Sequence, residues 1–278
     1  MPIGQSLIDQ INDVSVAQGQ CAFWWLGQHS FVLKFGKSVI YVDPFLSNIE
    51  GRRIPPLVDA SSITNADAIL GSHDHVDHID RGAWPTLAKS SPAAKFIVPI
   101  LLKDRICEEL GISPQRVLGV DDGISVGIGP VKITGVPAAH EFLDTDPKTG
   151  RHPFLGFVIE GNGVCVYHAG DTCIYEGMHA ILKRWHFDLA FLPINGRSAK
   201  RLAAGIVGNM TYQEAADLAG TLRPSLVVPA HFDMFEANRE DPQLFVDYVA
   251  VKYPSLATMI PKHGECVLAG RSGAAVSC

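Results

Sequence analysis

The segment from His73 to Asp80 reads His-Asp-His-Val-Asp-His-Ile-Asp, three imidazoles and three carboxylates within eight residues. Neither group packs well in an apolar core, and several together repel one another unless a shared partner holds them. Imidazole nitrogen and carboxylate oxygen in combination suit borderline-hard cations. A solvated, histidine-rich loop is the plainer alternative. Against it, the cluster follows directly on the apolar run from Ala66 to Leu70, which reads as a buried strand. The fold must therefore end a core strand on a loop that carries His73, His75, Asp77 and His78, spaced His-x-His-x-Asp-His, as candidate metal ligands.

The rest of the chain supplies a core large enough for that strand. Of 278 residues, 47% are apolar and 19% charged, which places the chain among globular proteins. A net charge of −6 argues against broad nucleic-acid binding, though a bound cation can invert the field locally for an anionic ligand. No apolar run reaches the length of a membrane span, and residues 1–16 lack the basic-then-apolar layout of a signal peptide. Six cysteines lie scattered without a Cys-x-x-Cys pair, so reduced, structural cysteines and a cytoplasmic setting are expected.

Short apolar runs dominate the first third. Residues 22–26, 31–35 and 39–42 read as antiparallel strands turned at Gly27-Gln28 and Gly36-Lys37, with Trp24 and Trp25 facing opposite sides. The third run stops at Asp43-Pro44, leaving a carboxylate at its tip. A helix is expected to start near Asp80, a strand over 95–98, and an amphipathic helix through Leu102, Ile106 and Leu110 with Gly111 as its stop. Further strands are expected over 131–136, 155–159, 164–167, 189–193 and 226–229. Helices fit 175–184, the capping box Thr211-x-x-Glu214, and the stretch from Asp241-Pro242 to about Tyr253. No linker-like shift in composition divides the halves. The expectation is α/β: a single αββα domain over 1–278, two mixed sheets face to face with helices outside.

Three later positions also place a candidate donor just past an apolar strand. They are His140, Asp171 in the turn His168-Ala169-Gly170-Asp171-Thr172, and His231. Any one alone could be a turn former or cap. All of them falling at the carboxyl ends of strands, where one edge of a sheet gathers its loops, is harder to dismiss. With Asp43 at an earlier strand tip, this ordered set resembles the metallo-β-lactamase superfamily over nearly the whole chain. Within it, Trp24-Trp25-Leu26-Gly27, residues 72–80 and Gly170-Asp171-Thr172 are most similar to the L-ascorbate-6-phosphate lactonase group and related metal-dependent hydrolases. The resemblance implies two divalent ions, Zn or Mn with Fe also open. One would sit on His73, His75 and His140, the other on Asp77, His78 and His231, with Asp171 bridging. Asp43 would orient a ligand histidine without binding metal itself.

Such a pair implies hydrolysis by a bridging hydroxide, with Asp77 orienting it and moving its proton. The expected substrate is a small, anionic molecule such as a sugar-phosphate lactone. Arg197 and Arg201 in the segment after residue 193, Arg52 in the loop after Asp43, and His263 near the end are candidate substrate contacts, each equally at home in a solvated loop. The alternative enzyme is a phosphodiesterase or nucleic-acid-processing hydrolase, and the negative charge makes a nucleic-acid partner the weaker choice. Redox chemistry ranks lower because diiron relatives carry Glu where this chain has His75, and a non-catalytic metal sensor also ranks below hydrolysis. No membrane partner is expected; a homo-oligomer is left open.

Overall fold

The structure, a computed structural model, describes residues 2–271 and 275–278. Strand β1 (Gln20–Gly27) is buried on both faces: Phe23 and Trp25 point into one core and Trp24 and Leu26 into another, the split that the tryptophan pair predicts. It is followed by β2 (Ser30–Phe35), β3 (Ser38–Val42), β4 (Ala68–Leu70), β5 (Lys95–Pro99) and β6 (Val117–Val120). The second half contributes β7 (Ser125–Ile128), β8 (Val131–Pro137), β9 (Leu155–Gly161), β10 (Val164–His168), β11 (Leu189–Pro193) and β12 (Leu226–Ala230), and β13 (Cys266–Gly270) and β14 (Val276–Ser277) close the chain.

Among the described residues these strands form two mixed sheets. The eight-stranded sheet runs β14-β13-β1-β2-β3-β4-β5-β6 and the six-stranded sheet β12-β11-β10-β9-β8-β7. Strands β3 to β6 are parallel, as are β10 to β12, while the remaining pairs are antiparallel. The sheets face each other through aromatic side chains: the rings of Phe23 and Phe31 lie 5.3 and 4.0 Å from that of Phe191. Helices α1 (Gln5–Asp13), α2 (Trp84–Ser90) and α3 (Lys103–Leu110) cover the first sheet, packing Ile8, Trp84 and Ile106 into a cluster with Trp24, Tyr41 and Phe96. On the second sheet, α4 (Met178–Leu182), α6 (Tyr212–Leu222) and α7 (Pro242–Lys252) bring Met178, Leu218 and Phe245 into the main core. Between them in sequence, α5 (Ala199–Ala203) buries no residue. This is the αββα sandwich.

Several features go beyond or against the sequence reading. Strand β7 carries a weak signal because it lies at a sheet edge with two of its four residues exposed. Helix α1 hides in a polar stretch where only Leu7, Ile8 and Ile11 are buried. The expectation of reduced cysteines needs correction at one pair. The terminal hairpin brings Cys266 and Cys278 to a Cα separation of 5.3 Å and a disulfide joins them, while Cys21, Cys107, Cys165 and Cys173 are free. Scattered spacing does not reveal a partner that a hairpin supplies.

Candidate metal centre

The candidate donors gather because the strands that carry them end at one edge of the sandwich. Asp43 follows β3, residues 71–80 follow β4, Asp171 follows β10 and His231 follows β12, while His140 lies three residues past β8. Packing at these ends is tight. Gly170 has φ +62°, and a Cβ there would run into the carbonyl oxygen of Leu155. A glycine just before Asp171 lets the carboxylate turn inward where a side chain would hold the loop off.

Four atoms define the deeper part of the site. His78 Nε2 lies 3.6 Å from Asp77 Oδ2 and 3.3 Å from Asp171 Oδ1, and His231 Nε2 lies 3.5 and 3.1 Å from the same two oxygens. Donors about 2.1 Å from a tetrahedral cation stand roughly 3.4 Å apart, so this spacing fits one ion without rearrangement. His78 Nε2 and Asp171 Oδ1 are buried and have no hydrogen-bond partner, an expensive arrangement for a site with no other purpose. A second group lies beside it. His73, His75 and His140 bring ring nitrogens within 4.8 Å of one another, with His73 Nε2 3.0 Å from His75 Nδ1 and His140 Nδ1 unpartnered. Asp171 stands within that same span of His73 and His78, at the boundary between the groups.

Burial and neighbouring charge set the proton states. Burial holds His73, His75 and His140 below the ordinary histidine range, keeping neutral rings with a free lone pair. Burial works the same way on His231, but the Asp171 and Asp77 carboxylates override it and raise the ring to about 9. His78 is likewise raised against burial, by Asp171, Asp77 and Asp43. Asp77 is held well below the usual carboxylate range, chiefly by His78 and His231 acting against desolvation. The protein thus places two protonated rings against two carboxylates, and a divalent ion would replace the two protons charge for charge.

Further residues brace the donors. Asp43, fully buried, accepts from the Ser72 backbone N–H at 2.8 Å and Ser72 Oγ at 2.7 Å, and its Oδ2 stands 2.6 Å from His78 Nδ1. Gln28, expected from the sequence only as part of a turn, donates from Nε2 to Asp77 Oδ2 at 2.8 Å and faces His231 Nε2 at 3.0 Å. Its backbone N–H donates to Asp233 Oδ1, whose other oxygen stands 2.6 Å from His263 Nε2. Nothing local marks Gln28 or Asp233, which lie 205 residues apart in sequence. The only hint is the position of Gln28 in a turn on the side where the donors gather.

The four candidate substrate contacts already have partners within the protein. Arg52 donates Nε to the Ile54 carbonyl and Nη1 to those of Phe45 and Ser47, and stacks 4.3 Å over the Phe45 ring. Arg201 gives its guanidinium to the carbonyls of Asn195, Ala237 and Arg239. Arg197 pairs with Glu214 at 2.7 Å and donates to the Asn209 carbonyl. His263 stacks on Trp25 at 4.2 Å and is taken up by Asp233. The physical reason is the same in each case: a guanidinium or imidazole near a loop finds backbone carbonyls and carboxylates that sequence order does not display.

A cleft of about 530 Å³ opens on this centre, lined by His75, Asp77, His140, Asp171 and His231 together with apolar side chains of the 205–207 segment and Phe235. This fold and donor set are those of a known class of metal-dependent protein. A family model described as the β-lactamase superfamily domain matches residues 39–232, and the chain belongs to that superfamily. Within it the chain groups with the UPF0173 metal-dependent hydrolases. It is 31% identical to one from Pyrobaculum calidifontis over 80% of this chain and 88% of the relative, and 31% identical to one from Methanoregula boonei over 78% and 84%. Among solved structures, the Ignicoccus hospitalis metallo hydrolase Igni18 is similar at a TM-score of 0.68, 22% identity, and coverage of 90% of this chain and 98% of that one. A diiron β-hydroxylase from Streptomyces venezuelae is similar at a TM-score of 0.65 and 17% identity, covering 87% of this chain and 53% of its own. Hydrolases and a diiron hydroxylase share this fold, so the fold alone does not choose the reaction.

Proposed function

We propose that this protein is a metal-dependent hydrolase with a dinuclear centre. His73, His75 and His140 would hold one divalent ion, and Asp77, His78 and His231 the other, with Asp171 between them. The observation that carries the reading is the set of four donor atoms at 3.1 to 3.6 Å, two of them buried and unpartnered, opening onto a cleft. Donors limited to imidazole and carboxylate suit Zn, Mn or Fe. Bound there, such ions supply a nucleophilic water at neutral pH and a Lewis acid for the oxygen that gains charge. Asp77 lines the cleft, orients the attacking water and passes its proton towards the leaving group. Asp43 fixes the His78 ring so that Nε2 faces the site, and Gln28 holds the Asp77 carboxylate in register.

Hydrolysis rather than redox chemistry is favoured by His75, since the first group is all imidazole and lacks the carboxylate expected of diiron relatives. The relatives named as metal-dependent hydrolases support the same choice. The test is metal analysis of the purified protein beside a panel of lactones, esters, thioesters and phosphodiesters. Turnover of at least one substrate, abolished by chelation and in His75→Ala or Asp171→Ala together with bound metal, is the expected result. Full activity in a metal-free variant would refute the scheme.

A further inference from the structure

The cleft at the metal centre has a neighbour. A pocket of about 290 Å³ lies against α5, and Ala199, Leu202, Ile206 and Val207 supply the apolar part of its lining. Ile206 and Val207 also line the metal cleft, together with Val76 and Phe235, so the two spaces share a wall of branched apolar side chains. Leu202 is 62% exposed and Val76 48%, an apolar rim that a folded chain ordinarily buries or uses. Charge points the same way. Arg197 is neutralised by Glu214, Arg201 and Arg52 are saturated by carbonyls, and Glu141 adds a carboxylate to the pocket. Lys200 lines the adjoining cleft, which shares Arg197, Ser198 and Ile206 with this pocket and sets Glu236 and Glu240 in the same lining as the ammonium. An anionic substrate arm would therefore enter a space whose described lining carries no unpaired cation, whereas an apolar arm would cover Leu202, Ile206 and Val207 from water.

Resting on the hydrolase reading, we infer that the substrate is an uncharged carboxylic ester or lactone whose apolar acyl arm runs from the metal cleft into the pocket beside α5. The water oxygen bonds to the acyl carbon, the acyl C–O bond breaks, and the departing oxygen takes the proton, giving acid and alcohol. The pocket equals roughly ten waters in volume, at ~30 Å³ each, which suits an arm on the order of six carbons.

The test uses the zinc-loaded protein and two series of probes. Straight-chain hydroxamates from acetyl to octanoyl report acyl binding by calorimetry, and p-nitrophenyl esters of the same acids report turnover. Affinity and kcat/KM should rise about threefold per methylene up to hexanoyl. Leu202→Asp should flatten both series; its side chain lies at the surface, so the fold is kept. Ile206→Ser, closer to the shared wall, is the second variant and should flatten them too. A flat or absent length dependence in the parent protein, or tighter binding of succinyl than of butyryl hydroxamate, would overturn the inference. Ester turnover with flat hydroxamate affinity removes the acyl pocket and leaves the hydrolase reading standing. Length-dependent hydroxamate binding without turnover of any ester supports the pocket and counts against hydrolysis.

Discussion

Replacing Asp43 by Asn changes one atom and should separate metal affinity from folding. In the parent, Asp43 Oδ2 accepts from His78 Nδ1–H at 2.6 Å, so the proton that a metal ion would displace is the one on Nε2, facing Asp77 and Asp171. In the variant, the amide oxygen can still accept from the Ser72 backbone N–H, as Oδ1 does at 2.8 Å. The amide nitrogen then takes the place of Oδ2 and donates to Nδ1, which moves the ring proton to Nε2. Restoring the metal-binding tautomer would set two donors against each other and lose that hydrogen bond, at a cost of about 2 kcal/mol, or about thirtyfold in affinity. Competition against a chromophoric chelator should show one of two zinc sites weakened ten- to a hundredfold, with the other close to parent. The metal-free protein keeps a partner for the ring, because His78 Nε2–H can donate to Asp171 Oδ1, 3.3 Å away. Urea unfolding of the apo form should fall by about 1–2 kcal/mol. Parent-like affinity at both sites would refute the tautomer argument, and equal loss at both would show that Asp43 acts on the loop as a whole.

Three other outcomes follow from the same contacts. Gln28→Leu keeps the bulk but removes the donor to Asp77 Oδ2, and should weaken the site containing Asp77 about tenfold while leaving the other, read by stepwise zinc titration. Arg52→Ala should destabilise the fold by about 2–4 kcal/mol in denaturant melts and leave KM unchanged, since its donors serve the carbonyls of residues 45, 47 and 54. His168 is pushed down to about 3 by burial and by the neighbouring His29 ring, so the unfolded chain binds that proton more readily than the native one. Stability from this group is present above the ordinary histidine pKa of 6.5 and lost as pH falls towards 3; between pH 7.5 and 5 it amounts to about 2 kcal/mol. Apo-protein unfolding should be flatter with pH by that amount in His168→Gln, and an unchanged slope would show that His168 does not titrate on unfolding.

What the sequence disclosed and what it concealed divide along a physical line. A strand buried on both faces writes itself as an apolar run, and a donor just past its end is adjacent in sequence to the signal that positions it. That is why residues 73–78, Asp171 and His231 could be read in order, together with the sheets that gather them. The bracing contacts have no such adjacency. Gln28 meets Asp233 across 205 residues, and the carbonyls that absorb Arg201 lie up to 38 residues away. Residue type signals chemistry only where the partner is another distinctive residue. A backbone carbonyl is offered everywhere, so a guanidinium's choice among carbonyls depends on loop paths that no periodicity encodes.

The backbone itself shows where precision at this site comes from. Six non-glycine residues have positive φ among those described, and four of them touch the centre: Gln28 at 53°, Asp43 at 46°, His231 at 58°, and Glu141 at 75° beside His140. The other two, Asn162 and Arg223, close a hairpin and a helix, where such a turn is ordinary. Left-handed backbone at a non-glycine residue costs on the order of 1 kcal/mol or more, so it persists only where surrounding bonds hold it. Here they do. The Asp43 N–H reaches the Leu70 carbonyl at 2.8 Å, and the Gln28 carbonyl accepts from both the His231 N–H and Trp25 Nε1 at 3.0 Å. Gln28 and His231 are thus tied backbone to backbone, and their side chains meet again at Asp77. A glycine at either position would relieve the strain and discard the side chain that the strain aims. The sandwich brings the strand ends to one edge, but it is these strained turns, braced by buried hydrogen bonds, that set the donor atoms at a cation's spacing.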